Sequence, residues 1–233
     1  MPAPAPLVLV PGLLCTAALF APQIAALSGL TSVTVADHTR HDSMAGIASD
    51  ILAAAPPRFA LAGLSMGVGI ALEILRQAPA RVERLALLDG RAELDNADTR
   101  ASRRTYLEMA RQGHFMAITR DHLLPKLIHP ARLRDAALVQ TILDMAQSTG
   151  PAAFLRQETA LLDRDDYTPL LPAIRCPTMV IVGESDAITP VPMVEAMAQK
   201  IPAARFEVIA GSGHLTTLER PAETAALLKA WLA

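Results

Sequence analysis

The five residues Gly63-Leu64-Ser65-Met66-Gly67 constrain this chain more than any other stretch. They follow an apolar run, Phe59-Ala60-Leu61-Ala62, and open into a helical pattern that begins Val68-Gly69-Ile70-Ala71-Leu72. A strand, a sharp turn with serine at its tip and then a helix is the context in which G-x-S-x-G presents a nucleophile. The glycines have a steric reason. A turn this tight strains the serine backbone, and larger side chains two positions away would collide with the strand and the helix. The helix directs its N-terminal N–H groups and the positive end of its dipole at the serine, which favours an oxyanion there.

Apolar runs bounded by turn residues recur on both sides of this motif. Leu7–Val10, Ser32–Ala36 and Val82–Leu88 join Phe59–Leu64 as short buried strands. Helical spacing lies between them. Thr16 can cap a helix that carries Leu19, Phe20, Ile24 and Leu27, and Ser43 one that runs to Ala55 before Pro56-Pro57. This alternation predicts a parallel sheet with right-handed crossovers and helices on both faces. From about Glu93 to Pro172 no strand pattern appears, only amphipathic segments such as Arg100–Arg111 and Arg132–Gln147. Cys176–Val182 resumes the strand pattern, followed by a helix at Pro190–Ile201, a strand at Ala204–Ile209 and a closing helix at Pro221–Trp231. The expected fold class is α/β, a mostly parallel sheet in a core of residues 1–92 and 173–233. Residues 93–172 form a helical cap inserted between two strands within one domain, over the strand ends where such sheets bind ligands. Met1 to Pro6 reads as an extended, proline-alternating lead-in.

Composition narrows the function classes. A 52% hydrophobic and 19% charged chain can bury a large core, and with only 3% aromatics that core must be aliphatic. A net charge of −2 gives no reason to expect nucleic acid or an acidic membrane surface as partner. Cys15 and Cys176 are far apart, with no C-x-x-C or metal-ligand spacing, and read as reduced apolar residues. The apolar N-terminus has no basic flank before Arg40 and is interrupted by Pro11-Gly12, so it reads as structure and the protein as cytoplasmic, with no membrane span.

A serine hydroxyl needs a base to become nucleophilic, and the base needs an orienting acid. Both belong on loops after strands, on the same sheet edge as Ser65. His214 lies in Gly211-Ser212-Gly213-His214 directly after the last strand, and Asp186 follows the strand at 176–182. The order serine, acid, histidine is the one that accompanies this motif. Asp89 also follows a strand and is the rival acid; Asp186 is preferred because its strand lies next to the histidine's. Acyl transfer further requires N–H donors for the oxyanion. The backbone N–H of Met66, just after the serine, is one candidate, and that of Leu13, in the turn after the first strand, is the other. Cys15 is a poorer nucleophile candidate, since nothing like the Ser65 turn surrounds it.

The segments LVLVPGLL, FALAGLSMGVGIALEI, RLALLDG, CPTMVIVGESDAITP and IAGSGHLTTLERP together resemble the α/β-hydrolase fold superfamily, of the small capped esterase and lactonase type. They cover most of residues 7–90 and 176–233. The resemblance implies Ser65 as nucleophile, Asp186 as acid and His214 as base. It also implies oxyanion donors at Leu13 and Met66, a small-molecule ester substrate and no cofactor. Three departures stand out. Pro11-Gly12 replaces a common His-Gly, Val68 replaces a common glycine, and the chain begins at what resembles the third strand, so six strands and an exposed edge are expected.

Three activities fit the sequence. The leading one is a serine hydrolase of small carboxylic esters or lactones. The others are carbon–carbon bond hydrolysis or cofactor-free perhydrolysis at the same residues, and a non-catalytic small-ligand receptor on the same scaffold. Dehalogenase and epoxide hydrolase chemistry would need an aspartate in place of Ser65. The pocket wall is expected among Leu94, Tyr106, Met109, Phe115, Ile118, Phe154, Leu155 and Leu162, though most of these equally suit packing within the cap. Arg91, Arg156 and His122 are candidates for binding a substrate carboxylate.

Overall fold

The structure, a computed structural model, describes residues 4–233, so Met1–Ala3 of the expected lead-in lie outside the described residues. Pro4 to Pro6 has no regular structure and is tied down at Ala5, whose carbonyl accepts from the Thr31 hydroxyl at 2.9 Å. The elements then run β1 (Leu7–Val10), α1 (Ala21–Leu27), β2 (Val33–Val35), α2 (Met44–Ala54), β3 (Phe59–Leu64), α3 (Met66–Gln77) and β4 (Val82–Leu88). Next come α4 (Ala97–Arg111), α5 (Phe115–Ala117), α6 (Leu124–Leu127) and α7 (Ala136–Leu162). The chain closes with β5 (Thr178–Gly183), α8 (Val191–Ala198), β6 (Arg205–Ile209), α9 (Thr216–Glu219) and α10 (Pro221–Leu232).

The six strands form one sheet in the order β2-β1-β3-β4-β5-β6, and every pairing is parallel. The chain leaves β1 toward one edge and returns on its other side as β3. The strand order therefore reverses between β1 and β3, where a crevice opens at the carboxyl ends. The period of two along each strand separates two cores. Val8, Val10 and Leu61 face Met44, Ile47, Ile70, Ile74 and Val194 of α2, α3 and α8. Leu7, Leu9, Ala60 and Ala62 face Leu27, Leu228 and Trp231 of α1 and α10. Caps are where the sequence places them: the Ser43 side chain accepts from the Gly46 N–H, and Thr16 caps a 3-10 turn at Ala17–Phe20 that leads into α1.

Between β4 and β5 the described residues contain helices and turns and no strand. Asn96 caps α4 and Asp135 caps α7 through their side chains, so α7 starts four residues later than the expected Arg132, after a 3-10 turn at Pro130–Arg132. It also runs on past Gln147 to Leu162. Gly150, at φ 75° and ψ 165°, breaks it into two helical segments, and Pro151 opens the second, where a missing N–H costs nothing. A π-helical turn at Ile118–Leu123 links α5 to α6, a feature the sequence pattern does not announce. Among the described residues no helix is long and apolar enough to cross a membrane.

Candidate active site

Ser65 sits between the last residue of β3 and the first of α3 with φ 56° and ψ −114°, a backbone conformation that costs a non-glycine residue energy. The surroundings hold it there. Its N–H donates to the Leu88 carbonyl at 2.9 Å, and its own carbonyl accepts from Val68 at 2.9 Å. A Cβ on Gly63 would strike the Gly67 carbonyl, and one on Gly67 would strike that of Val10, so both glycines are sterically required. Val68 takes the position of the common second glycine and is wholly buried in the core.

The structure brings Ser65, His214 and Asp186 into one hydrogen-bonded chain. His214 Nε2 lies 2.8 Å from Ser65 Oγ, and Nδ1 lies 2.8 Å from Asp186 Oδ2. A carboxylate can only accept, so Nδ1 carries the proton and Nε2 is left to accept from the serine hydroxyl. Asp186 is fixed by Ile188 N–H at 2.8 Å, Thr189 N–H at 2.9 Å and the Thr189 hydroxyl at 2.7 Å. The histidine loop is held by Glu219, which accepts from Gly213 N–H at 2.8 Å, and by His214 N–H donating to Leu127 O at 3.0 Å. Burial disfavours the imidazolium, but the charge and hydrogen bond of Asp186, with Asp89 and Glu219 behind it, lift the His214 pKa above its ordinary value. Burial works against the Asp186 carboxylate too, and His214 and the Thr189 donors hold it below its usual range.

Asp89, the rival acid, occupies a different role. It is fully buried and accepts from Gly183 N–H at 3.0 Å and the Thr216 hydroxyl at 2.5 Å, which ties β5 to the start of α9. Burial, and then repulsion from Asp186, push its pKa well up. Burial pushes the Cys15 thiol up to about 12, which disfavours the thiolate that a cysteine nucleophile needs.

The turn after β1 lies beside the serine. Gly12, Leu13 and Met66 all line the same cavity as Ser65 and His214. Among the described residues no acceptor pairs with the N–H of Leu13 or of Met66, which leaves both free for an oxyanion. The turn is gripped from two directions. The Gly12 carbonyl accepts from His38 Nε2 at 2.9 Å, and Leu14, itself at φ 60°, donates its N–H to Gln157 Oε1 at 3.2 Å. Neither His38 nor Gln157 stands out in the sequence as a site residue. His38 could have been found by the rule that located the others, since it too is a polar residue just beyond a strand.

The cavity has a volume of about 340 Å³ and runs from Ser65 to the helical segment above it. Of the eight expected wall residues only Tyr106 lines it. Phe115, Ile118 and Phe154 pack against one another in a separate apolar cluster, with Met109 and Leu155 beside them, and Leu94 faces solvent. The wall is made instead by Leu123, Leu127, Ile142, Met145, Leu161 and Ile188, together with the charged Arg91, Arg103 and Glu158. Of the three carboxylate-binding candidates only Arg91 reaches the cavity. Arg156 donates to Thr39 O at 2.7 Å, and His122 stands against Tyr106 with ring centroids 5.7 Å apart. Arg91, Arg103 and Arg164 all pair with Asp95, and Arg103 Nη1 also meets Glu158 Oε2 at 2.8 Å. Among the described residues no cluster of His, Cys, Asp and Glu is arranged to hold a metal ion.

The sequence model of the Alpha/beta hydrolase family matches residues 7–227. A pimeloyl-(acyl-carrier protein) methyl ester esterase from Nitrosomonas europaea is 25% identical over 186 residues, 77% of this chain and 72% of that one. A thermophilic esterase from Thermogutta terrifontis superposes with a TM-score of 0.89 at 29% identity, covering 98% of this chain and 89% of the other. An enol-lactonase from Burkholderia xenovorans LB400 shares the fold, with a TM-score of 0.87 at 23% identity over 98% of this chain and 90% of its own. The chain belongs to the alpha/beta hydrolase family and is a hydrolase.

Proposed function

We propose that this alpha/beta hydrolase cleaves a small carboxylic ester or lactone by acyl transfer, with Ser65 as nucleophile, His214 as general base and Asp186 as the acid that orients it. The observation that carries the reading is the unbroken chain from Asp186 Oδ2 through His214 to Ser65 Oγ, both links at 2.8 Å, opening on a largely apolar cavity. The names of the two esterase relatives support an ester substrate.

The substrate carbonyl lies over Ser65 with its oxygen toward the N–H groups of Leu13 and Met66. As Oγ attacks, His214 Nε2 takes the hydroxyl proton, and Asp186 stabilises the resulting imidazolium. The tetrahedral oxyanion accepts from Leu13 and Met66, each donor contributing about 3–4 kcal/mol to the barrier reduction. His214 then gives its proton to the leaving alkoxide, and the alcohol departs. Water enters, His214 deprotonates it, and a second tetrahedral intermediate collapses to acid and free Ser65. Every proton is carried by His214, so the sequence of steps needs no cofactor. In this reading residues 93–172 act as a cap on a core of residues 1–92 and 173–233, and their inner faces select the substrate.

Hydrolysis of p-nitrophenyl esters from acetate to laurate, by wild type and by Ser65→Ala, tests the reading. Ser65→Ala is expected to lower kcat by a factor on the order of 10⁴ or more. Substantial activity in the variant would refute serine acyl transfer. Saturable binding with no turnover by wild type would favour a receptor.

A further inference from the structure

We propose that His38 is a positioning residue for the oxyanion turn: by donating to the Gly12 carbonyl it sets the plane of the Gly12–Leu13 peptide, and with it the direction of the Leu13 N–H. The inference rests on the acyl-transfer reading of Ser65.

The Gly12 carbonyl and the Leu13 N–H belong to one peptide unit. That unit is planar and trans, with no cis bond among the described residues, so its C=O and N–H point in opposite directions. Fixing one end aims the other. His38 takes the carbonyl end at 2.9 Å and lies outside the cavity wall, while Leu13 lies on it with Ser65. Cys15 N–H reaches the same carbonyl at 3.1 Å, so both of its acceptor positions are used. Pro11, just before the glycine, has neither an N–H nor a polar side chain to help. The histidine arrives from the neighbouring strand. Leu9 pairs with Val35, and Ala36 N–H donates to Leu9 O at 2.8 Å, which brings the end of β2 alongside the end of β1. His38 is only 2% exposed. An imidazole N–H buried that deeply is costly to leave unpaired, so the bond resists breaking. A carbonyl only accepts, so the neutral ring carries its proton on Nε2.

The test compares His38→Leu, which fills the space without a donor, with His38→Gln, whose Nε2 reaches about as far as that of histidine. Their kcat and KM on a p-nitrophenyl ester are measured together with their affinity for an aryl trifluoromethyl ketone, which adds Ser65 Oγ to form a tetrahedral oxyanion. Removing a full oxyanion donor costs about 100- to 1000-fold, so a misaimed one is expected to cost His38→Leu about 10- to 100-fold in kcat. KM is expected to stay within about twofold, and ketone affinity to fall by a similar factor to kcat. His38→Gln is expected to recover most of both. Full kcat in His38→Leu would overturn the inference. So would a loss confined to KM, or a glutamine variant no better than leucine. Should His38→Leu not fold, His38→Asn serves in its place, since its shorter reach should fail where glutamine succeeds. Activity that survives in Ser65→Ala would instead sink the acyl-transfer reading, whatever the His38 variants do.

Discussion

The sheet and the helical segment above it are held by opposite kinds of interaction. Under Ser65, β1, β3, β4 and β5 are almost wholly aliphatic, and Leu7, Leu9, Leu61 and Leu87 are completely buried. Over Ser65, Asp95 is shared by three arginines, and Arg103 also pairs with Glu158, all with little exposure. The apolar core gains stability from any well-packed side chain. The charged cluster demands particular partners, because removing one strands the rest in a poor solvent. The sheet beneath Ser65 is thus built generically, and the segment over it specifically.

Breaking the cluster should have the largest effect. Asp95→Asn leaves three arginines without their common carboxylate and is expected to cost about 3–5 kcal/mol. Hydrogen exchange should rise first in residues 93–172 while the strands stay protected; uniform loss of protection would erase the contrast. Leu61→Ala is expected to cost about 3 kcal/mol through the cavity it leaves. Denaturant unfolding should register this as a loss from the whole molecule, with KM little changed.

pH separates the same two regions. The working base must be neutral, so kcat/KM should rise with pH through the raised pKa of His214, on an acid limb above the ordinary 6.5. The stability contributed by this pairing runs the other way: it is full below 6.5 and lost as pH rises through the raised value. Arg103 and then Arg91 outweigh the desolvation of Asp95 and hold it at about 2, so its contribution is full above 3.8 and is lost only as pH falls toward 2. An acid limb at or below pH 6.5 would contradict the assignment of His214. The smallest expected effect is Gln157→Met, which removes one bond to Leu14 and should cost about 1 kcal/mol, seen as a few-fold fall in kcat.

Legibility in the sequence divides along the same line. Phe59–Leu64 could be bounded to the residue, because a strand buried on both faces is an unbroken apolar run with turn residues at each end; Val82–Leu88, which Glu83 and Arg84 interrupt, could be bounded by its apolar half and the Asp89-Gly90 that follows. Ser65, Asp186 and His214, which the structure brings together, stand out as candidates because each lies in a turn just beyond a strand pattern. The cavity wall could not. Helical spacing shows that a segment has an apolar face but not what that face meets, so Phe115 of α5, Ile118 just after it and Phe154 of α7 read as wall when they pack together. The burial of Arg91, Asp95, Arg103 and Glu158 has no signature in the sequence, since charged residues usually lie at the surface, and only tertiary contacts account for it.

The break at Gly150 has a consequence for how such a molecule diversifies. Ile142 and Met145, which line the cavity, precede it; Gln157, which accepts from Leu14, and Glu158 and Leu161, which also line the cavity, follow it. The backbone leaves helical geometry at Gly150, so a change of pitch or bulk in the first half need not be transmitted to the second. The side chains around Ile142 can therefore vary while Gln157 and Glu158 keep their places, two inheritances carried on what looks like one helix.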